Sequence, residues 1–180
     1  MKRKPVSDGA RRSIRLDRRR FLAGTAVAAG SALGLPCFVP GKVLGQNGDV
    51  PPSETIILGG IGIGRRGSGV LQWMMAERDV RMVAVCDAKK AQREKVKQVV
   101  DQRYGNGDCA VYADMREMLA TRDDIDAVLI ATGDRWHATA SVMAMRAGKD
   151  VYSEKPSSMT VAEGQAVVAT AARFRRVYQT

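Results

Sequence analysis

From Thr55 onward, apolar and polar positions alternate in blocks that predict strand and helix in strict succession. Ile56, Ile57, Leu58 and Ile61 make a first strand, and Val70, Leu71, Met74 and Met75 give the following helix, at about 68–78, one apolar side. A second strand covers Val80 to Cys86. A charged helix at about 88–103 follows, with Val96, Val99 and Val100 as a thin buried stripe. Gly105-Asn106-Gly107-Asp108 breaks the chain before the short strand Ala110-Val111-Tyr112, and Asp114 is a natural N-cap for a helix at 115–120. The apolar run at 126–131 reads as a buried fourth strand, 132–137 as the loop at its carboxyl end, and 138–147 as a small-residue helix ended by Gly148. Val151-Tyr152 centres a fifth strand. Thr160 with Glu163 three residues on forms a capping box for a helix reaching 174, and 177–179 opens a sixth strand.

This order predicts the α/β class: a three-layer, Rossmann-type parallel sheet with helices on both faces. Ligands of such sheets bind outside the carboxyl ends of the strands. Asp87, Thr132, His137, Glu154 and Lys155 all fall at those ends.

Composition narrows the picture. The net charge of +10 suggests nucleic acid until it is mapped: residues 1–20 hold nine Lys or Arg against two acids, and the remainder twenty against seventeen. The body is nearly neutral, which argues against a nucleic-acid partner. Cys37, Cys86 and Cys109 form no C-x-x-C pattern, and Cys86 reads as a core residue of its strand. With His137 as the sole histidine, no imidazole-rich metal site is expected.

The basic excess points to targeting. Asp17-Arg18-Arg19-Arg20-Phe21-Leu22 opens a mild apolar run to Leu35, a pattern that looks like a twin-arginine export signal. That run is fourteen residues long and interrupted by Gly24, Gly30 and Gly34, too short for a transmembrane helix. The expected organisation is a signal region at 1–45, a polar linker at 46–54 carrying Pro51-Pro52, and a folded domain at 55–180. A periplasmic location and the twin-arginine export machinery as partner follow.

The candidate chemistry lies between the first two strands. Gly62-Ile63-Gly64-Arg65-Arg66-Gly67 is a G-x-G-x-x-G leaving a strand, and Asp87 ends the next strand twenty residues beyond Gly67. Gly62 would allow the tight turn, Gly64 close approach to a pyrophosphate, and Gly67 helix–sheet packing. The phosphates would sit on free N–H groups at a helix start, including those of Ile63, Arg65 and Arg66. Asp87 would accept from the adenosine ribose hydroxyls and repel a 2′-phosphate. NAD is thus favoured over NADP, with Lys89 and Lys90 weakening the preference.

Three segments make the resemblance specific: 125–132, then Trp136-His137-Ala138, then 147–156 ending in Glu154-Lys155-Pro156. Together with the glycine loop and Asp87, they resemble the glucose-fructose oxidoreductase / inositol dehydrogenase (Gfo/Idh/MocA) family over roughly 55–180. The resemblance implies that Lys155 approaches the nicotinamide ribose and the reacting carbon. It also implies that Glu154 fixes the nicotinamide end, that Pro156, often cis in the family, sets the turn aiming Lys155, and that Thr132 and His137 line the nicotinamide side. Gly133 and Arg135 stand where the family usually carries proline and often a second histidine, so local substrate contacts do not carry over. The family's second α/β domain, with its sugar pocket and proton-moving Asp/His pair, has no counterpart here. The expectation is a nucleotide-binding half: a truncated product or fragment, or one part of a protein encoded in two.

The leading functional expectation is an NAD(P)-dependent oxidoreductase, or its nucleotide-binding domain, acting on a hydroxyl or keto group of a sugar, polyol or related small molecule. Further copies of the chain are additional candidate partners. Two alternatives stay open: a non-catalytic nucleotide-binding module, and part of an exported, NAD-dependent glycosidase-like member that oxidises and re-reduces one substrate.

Overall fold

The computed structural model describes residues 50–180. The expected signal region at 1–45 and the start of the expected linker lie outside the described residues. Pro52–Glu54 form one exposed 3₁₀ turn. The domain then runs β1 (Ile56–Ile61), α1 (Arg65–Met74), β2 (Val80–Cys86), α2 (Lys90–Tyr104), β3 (Ala110–Tyr112), α3 (Met115–Thr121), β4 (Ala127–Ile130), α4 (His137–Arg146), β5 (Asp150–Ser153), α5 (Val161–Phe174) and β6 (Tyr178–Gln179). All strand pairs are parallel, in the order β3-β2-β1-β4-β5-β6. This is the doubly wound order, and its direction reverses between β1 and β4.

The central strands feed both faces. In β4, Leu129 points into a core shared with Val70, Leu71, Val96 and Val100, while Val128 and Ile130 point into the opposite core with Met118, Ala140, Ala144 and Val167. α1 and α2 therefore cover one face, and α3, α4 and α5 the other. A bulge interrupts β2: Leu58 pairs with Met82 but Gly59 with Ala84, leaving Val83 unmatched. Val83 and Ala84 consequently face the same core, and Val85 returns to the side of Met82.

Element boundaries differ from the sequence expectation for identifiable reasons. α1 begins at Arg65 rather than Ser68, because Gly64 is its N-cap and Ser68 N–H already donates to Gly64 O at 2.9 Å. It ends at Met74, where Ala76 and Glu77 N–H reach back only three residues and tighten the turn. α2 starts at Lys90 rather than Ala88, because Asp87 Oδ1 accepts the Lys89 N–H at 2.8 Å and folds those residues into a side-chain turn. The capping box is as expected: Glu163 N–H donates to Thr160 Oγ1, and Glu163 Oε2 accepts the Thr160 N–H. Among the described residues no helix is long and apolar enough to cross a membrane.

Candidate functional site

A crevice of about 870 Å³ opens over the carboxyl ends of β1 to β4, at the point where strand order reverses. The glycine loop forms its floor, and each glycine has a distinct steric reason. Gly62 has φ +67°, and a Cβ there would stand 2.5 Å from Thr132 Cγ2 and 2.8 Å from Thr132 Cα. A Cβ on Gly67 would meet the Ala131 Cβ at 2.6 Å, which fixes how closely α1 packs on β4. Gly64 differs: nothing lies within 4 Å of its absent Cβ. The space that a side chain would fill there is the opening above the helix start.

No side chain caps α1, and the N–H groups of Arg65, Arg66 and Gly67 have no partner among the described residues. Three free donors at the positive end of a ten-residue helix suit an anion. Ile63 is fully buried and anchors the loop, and Gln92 Nε2 donates to its carbonyl at 2.6 Å from across the crevice.

Asp87 lies on the wall beside the loop, half-buried, with one carboxylate oxygen taken by the Lys89 N–H. Cys86 beneath it is buried, and desolvation, reinforced by the Asp114 and Asp87 carboxylates, pushes its thiol up to about 11. It stays a protonated core thiol at neutral pH. Thr132 and Trp136 close the β4 side.

The remaining expected residues lie beyond the crevice wall. Lys155-Pro156 is a cis peptide bond, and Lys155 is exposed at the end of β5. Glu154, 8% exposed, accepts from Arg66 Nε at 2.8 Å. The Arg66 guanidinium also lies 5.8 Å from the centre of the Trp73 ring. This ion pair joins the start of α1 to the loop after β5, so glycine loop and Glu154-Lys155-Pro156 are brought together, although Lys155 does not line the crevice.

His137 was expected on the nicotinamide side, in a catalytic position; the structure places it among the buried residues and outside the crevice lining. His137 is the first residue of α4, and its ring is 1% exposed. Nδ1 lies 2.8 Å from Pro156 O and Nε2 3.1 Å from Thr132 O. One ring nitrogen faces each of two backbone carbonyls, and a neutral imidazole donates to one of them, so the ring braces the loop after β4 against the loop after β5. The short 3₁₀ turn Asp134–Trp136 ahead of α4 carries the ring inward, away from the rim.

Sequence reasoning missed three polar side chains lining the crevice: Gln92, and the pair Asp114 and Arg116 just beyond β3. Asp114 was expected only as a cap, and it does cap α3. No motif marks these positions: Asp114 and Arg116 reach the crevice because β3 pairs beside β2, and Gln92 reaches it from the first turn of α2.

Fold and site together define a dinucleotide-binding Rossmann domain. A family model described as "Oxidoreductase family, NAD-binding Rossmann fold" matches residues 57–180, and the chain belongs to that family, GFO_IDH_MocA. Among its relatives, a "Glycosyl hydrolase family 109 protein" of Saccharopolyspora erythraea is 33% identical over 88% of this chain and 37% of its own length. An "Alpha-N-acetylgalactosaminidase" of Shewanella oneidensis is 34% identical over 70% of this chain and 28% of its own length. The chain thus spans 37% and 28% of the lengths of these two curated relatives. The fold also matches the crystal structure of a scyllo-inositol dehydrogenase from Lactobacillus casei with bound NAD(H) and scyllo-inositol. There the TM-score is 0.61, with 25% identity over 69% of this chain and 35% of that one.

Proposed function

We propose that the crevice binds a nicotinamide dinucleotide, NAD in preference to NADP, with its pyrophosphate on the free N–H groups of Arg65, Arg66 and Gly67. The observation that carries this reading is the open space over Gly64 directly above three unpartnered helix-start donors. Asp87 would take the adenosine ribose hydroxyls through the carboxylate oxygen not used by Lys89, and Thr132 would flank the nicotinamide side. When bound, the nicotinamide supplies a hydride acceptor and donor. Lys155 places an ammonium group at the β5 end, where it would orient a hydroxyl or carbonyl and balance negative charge on its oxygen. Glu154 would hold Arg66 over the helix start, and His137 would position the loop that presents Lys155. The whole protein would oxidise or reduce a hydroxyl or keto carbon of a sugar, polyol or related molecule.

A second reading is favoured by the 33–34% identity to the family 109 glycosyl hydrolase and the α-N-acetylgalactosaminidase. In it the same cofactor site serves glycoside cleavage, the cofactor returning to its starting redox state each turn. The basic, twin-arginine-like segment at residues 18–22 supports export to the periplasm, with 1–45 as signal, 46–54 as linker and 55–180 as the nucleotide-binding domain. Free dinucleotide is scarce there, so the cofactor would be loaded before export and retained.

Titrating the purified protein with NADH, and following nicotinamide fluorescence excited through tryptophan, tests the shared cofactor claim. Saturable one-to-one binding supports it, and no binding of either NADH or NADPH overturns it. Assays with a polyol panel and with p-nitrophenyl α-N-acetylgalactosaminide then separate the readings. Net NADH formation marks the dehydrogenase, and p-nitrophenol release without net NADH marks the glycosidase.

A further inference from the structure

Asp87 and Asp114 end neighbouring strands. Asp87 N–H donates to Tyr112 O at 3.1 Å, and Asp114 follows two residues beyond Tyr112, so both acids and Arg116 face the same end of the crevice. Arg116 does not project freely there. Its Nε lies 3.0 Å from both Asp114 carboxylate oxygens, and its Nη2 donates to Oδ2. Asp114 also accepts the Arg116 backbone N–H at 2.8 Å. Nearby, Arg93 Nη1 is occupied by the Asp87 and Ala88 carbonyls at 3.1 and 3.3 Å. Two guanidinium groups near Asp87 are thus engaged within the protein, and the Asp114–Arg116 pair stands at the solvent-exposed edge of the crevice.

We propose that Asp114 is a second determinant of cofactor choice: by holding Arg116 in a two-pronged pair, it withholds that guanidinium from a 2′-phosphate and keeps the site selective for a 2′-hydroxyl. The inference rests on the reading that the crevice takes a nicotinamide dinucleotide. A planar guanidinium is the side chain best matched to phosphate oxygens, and a carboxylate already seated on its fork both blocks those donors and repels the incoming dianion. Asp87 alone would act only by repulsion; Asp114 sets whether an attractive partner is available.

The test compares NADH and NADPH affinities of the wild type, Asp114→Asn and Asp114→Asn/Arg116→Ala. Asparagine still caps α3, so helix stability is little altered. The wild type is expected to prefer NADH. Asp114→Asn should shift the NADH/NADPH affinity ratio toward NADPH by about tenfold, the size expected of one new charge-assisted hydrogen bond to the 2′-phosphate. Removing Arg116 as well should cancel that shift. Asp114→Ser, a cap of different shape, should reproduce the shift. An unchanged ratio in both single variants overturns the inference, as does a shift that survives loss of Arg116 or a wild type that binds the two cofactors equally. In each of those results NADH still binds and the dinucleotide reading of the crevice stands, although equal binding by the wild type removes its preference for NAD; binding of neither cofactor removes both proposals.

Discussion

On the β1–β2 side of the crevice, backbone donors stand open and a glycine faces empty space. On the β4–β5 side the polar groups are already engaged. His137 lies between two carbonyls, Glu154 holds Arg66, and Ser141 Oγ donates to His137 O at 2.7 Å. The first side is shaped to receive an anion with no rearrangement, since the N–H groups of a helix start point outward whatever the side chains. The second side is a brace beside which Lys155 stands exposed. Pre-formed phosphate recognition is therefore a local property of strand, loop and helix. The reacting end depends on contacts made across loops far apart in sequence.

Substitutions should separate the two sides. The largest effect is expected at Gly62→Ala, where a methyl would be forced against Thr132 backbone in a left-handed conformation. A loss of about 3 kcal/mol in chemical denaturation is predicted, together with loss of NADH binding. His137→Ala should cost about 2 kcal/mol by removing the ring's hydrogen bond to one of the two flanking carbonyls and its packing between the loops. Its NADH affinity should fall much less than its stability, because the ring does not face the crevice. A stability unchanged by this substitution would break the assignment of the β4–β5 side as a brace. Arg66→Ala should cost about 1 kcal/mol, a modest figure because Arg66 is largely exposed even though Glu154 is not.

The smallest effect is electrostatic. The Arg116 side-chain hydrogen bond holds the Asp114 carboxyl down at about 2, from an ordinary 3.8. Because the folded value lies below the unfolded one, its contribution is present above about pH 4 and is lost as the pH falls toward 2. NMR titration of the Asp114 carboxyl should show that midpoint, and Arg116→Ala should return it toward 3.8.

Much of this was legible in the chain. Gly62, Gly64 and Gly67 each sit where their spacing placed them, and the alternating blocks implied a parallel sheet covered on both faces, although not its strand order. What escaped depends on competition between local hydrogen bonds. The start of α1 was set by Gly64 acting as cap, and that of α2 by the Asp87 side-chain turn. His137 looked like a loop residue because nothing in its neighbours signals the 3₁₀ turn that carries it inward. Gln92, Asp114 and Arg116 reach the crevice by tertiary placement alone.

The most direct test compares two glycines of the same region, both with open space around the absent Cβ: Gly64 at the rim and Gly69 inside α1. Gly64→Val and Gly69→Ala should both fold, the latter more stably by about 0.5–1 kcal/mol. NADH titration followed by calorimetry should show one-to-one binding for the wild type and Gly69→Ala, and affinity reduced at least about tenfold for Gly64→Val, whose side chain fills the pyrophosphate space. Wild-type affinity in Gly64→Val would contradict the account.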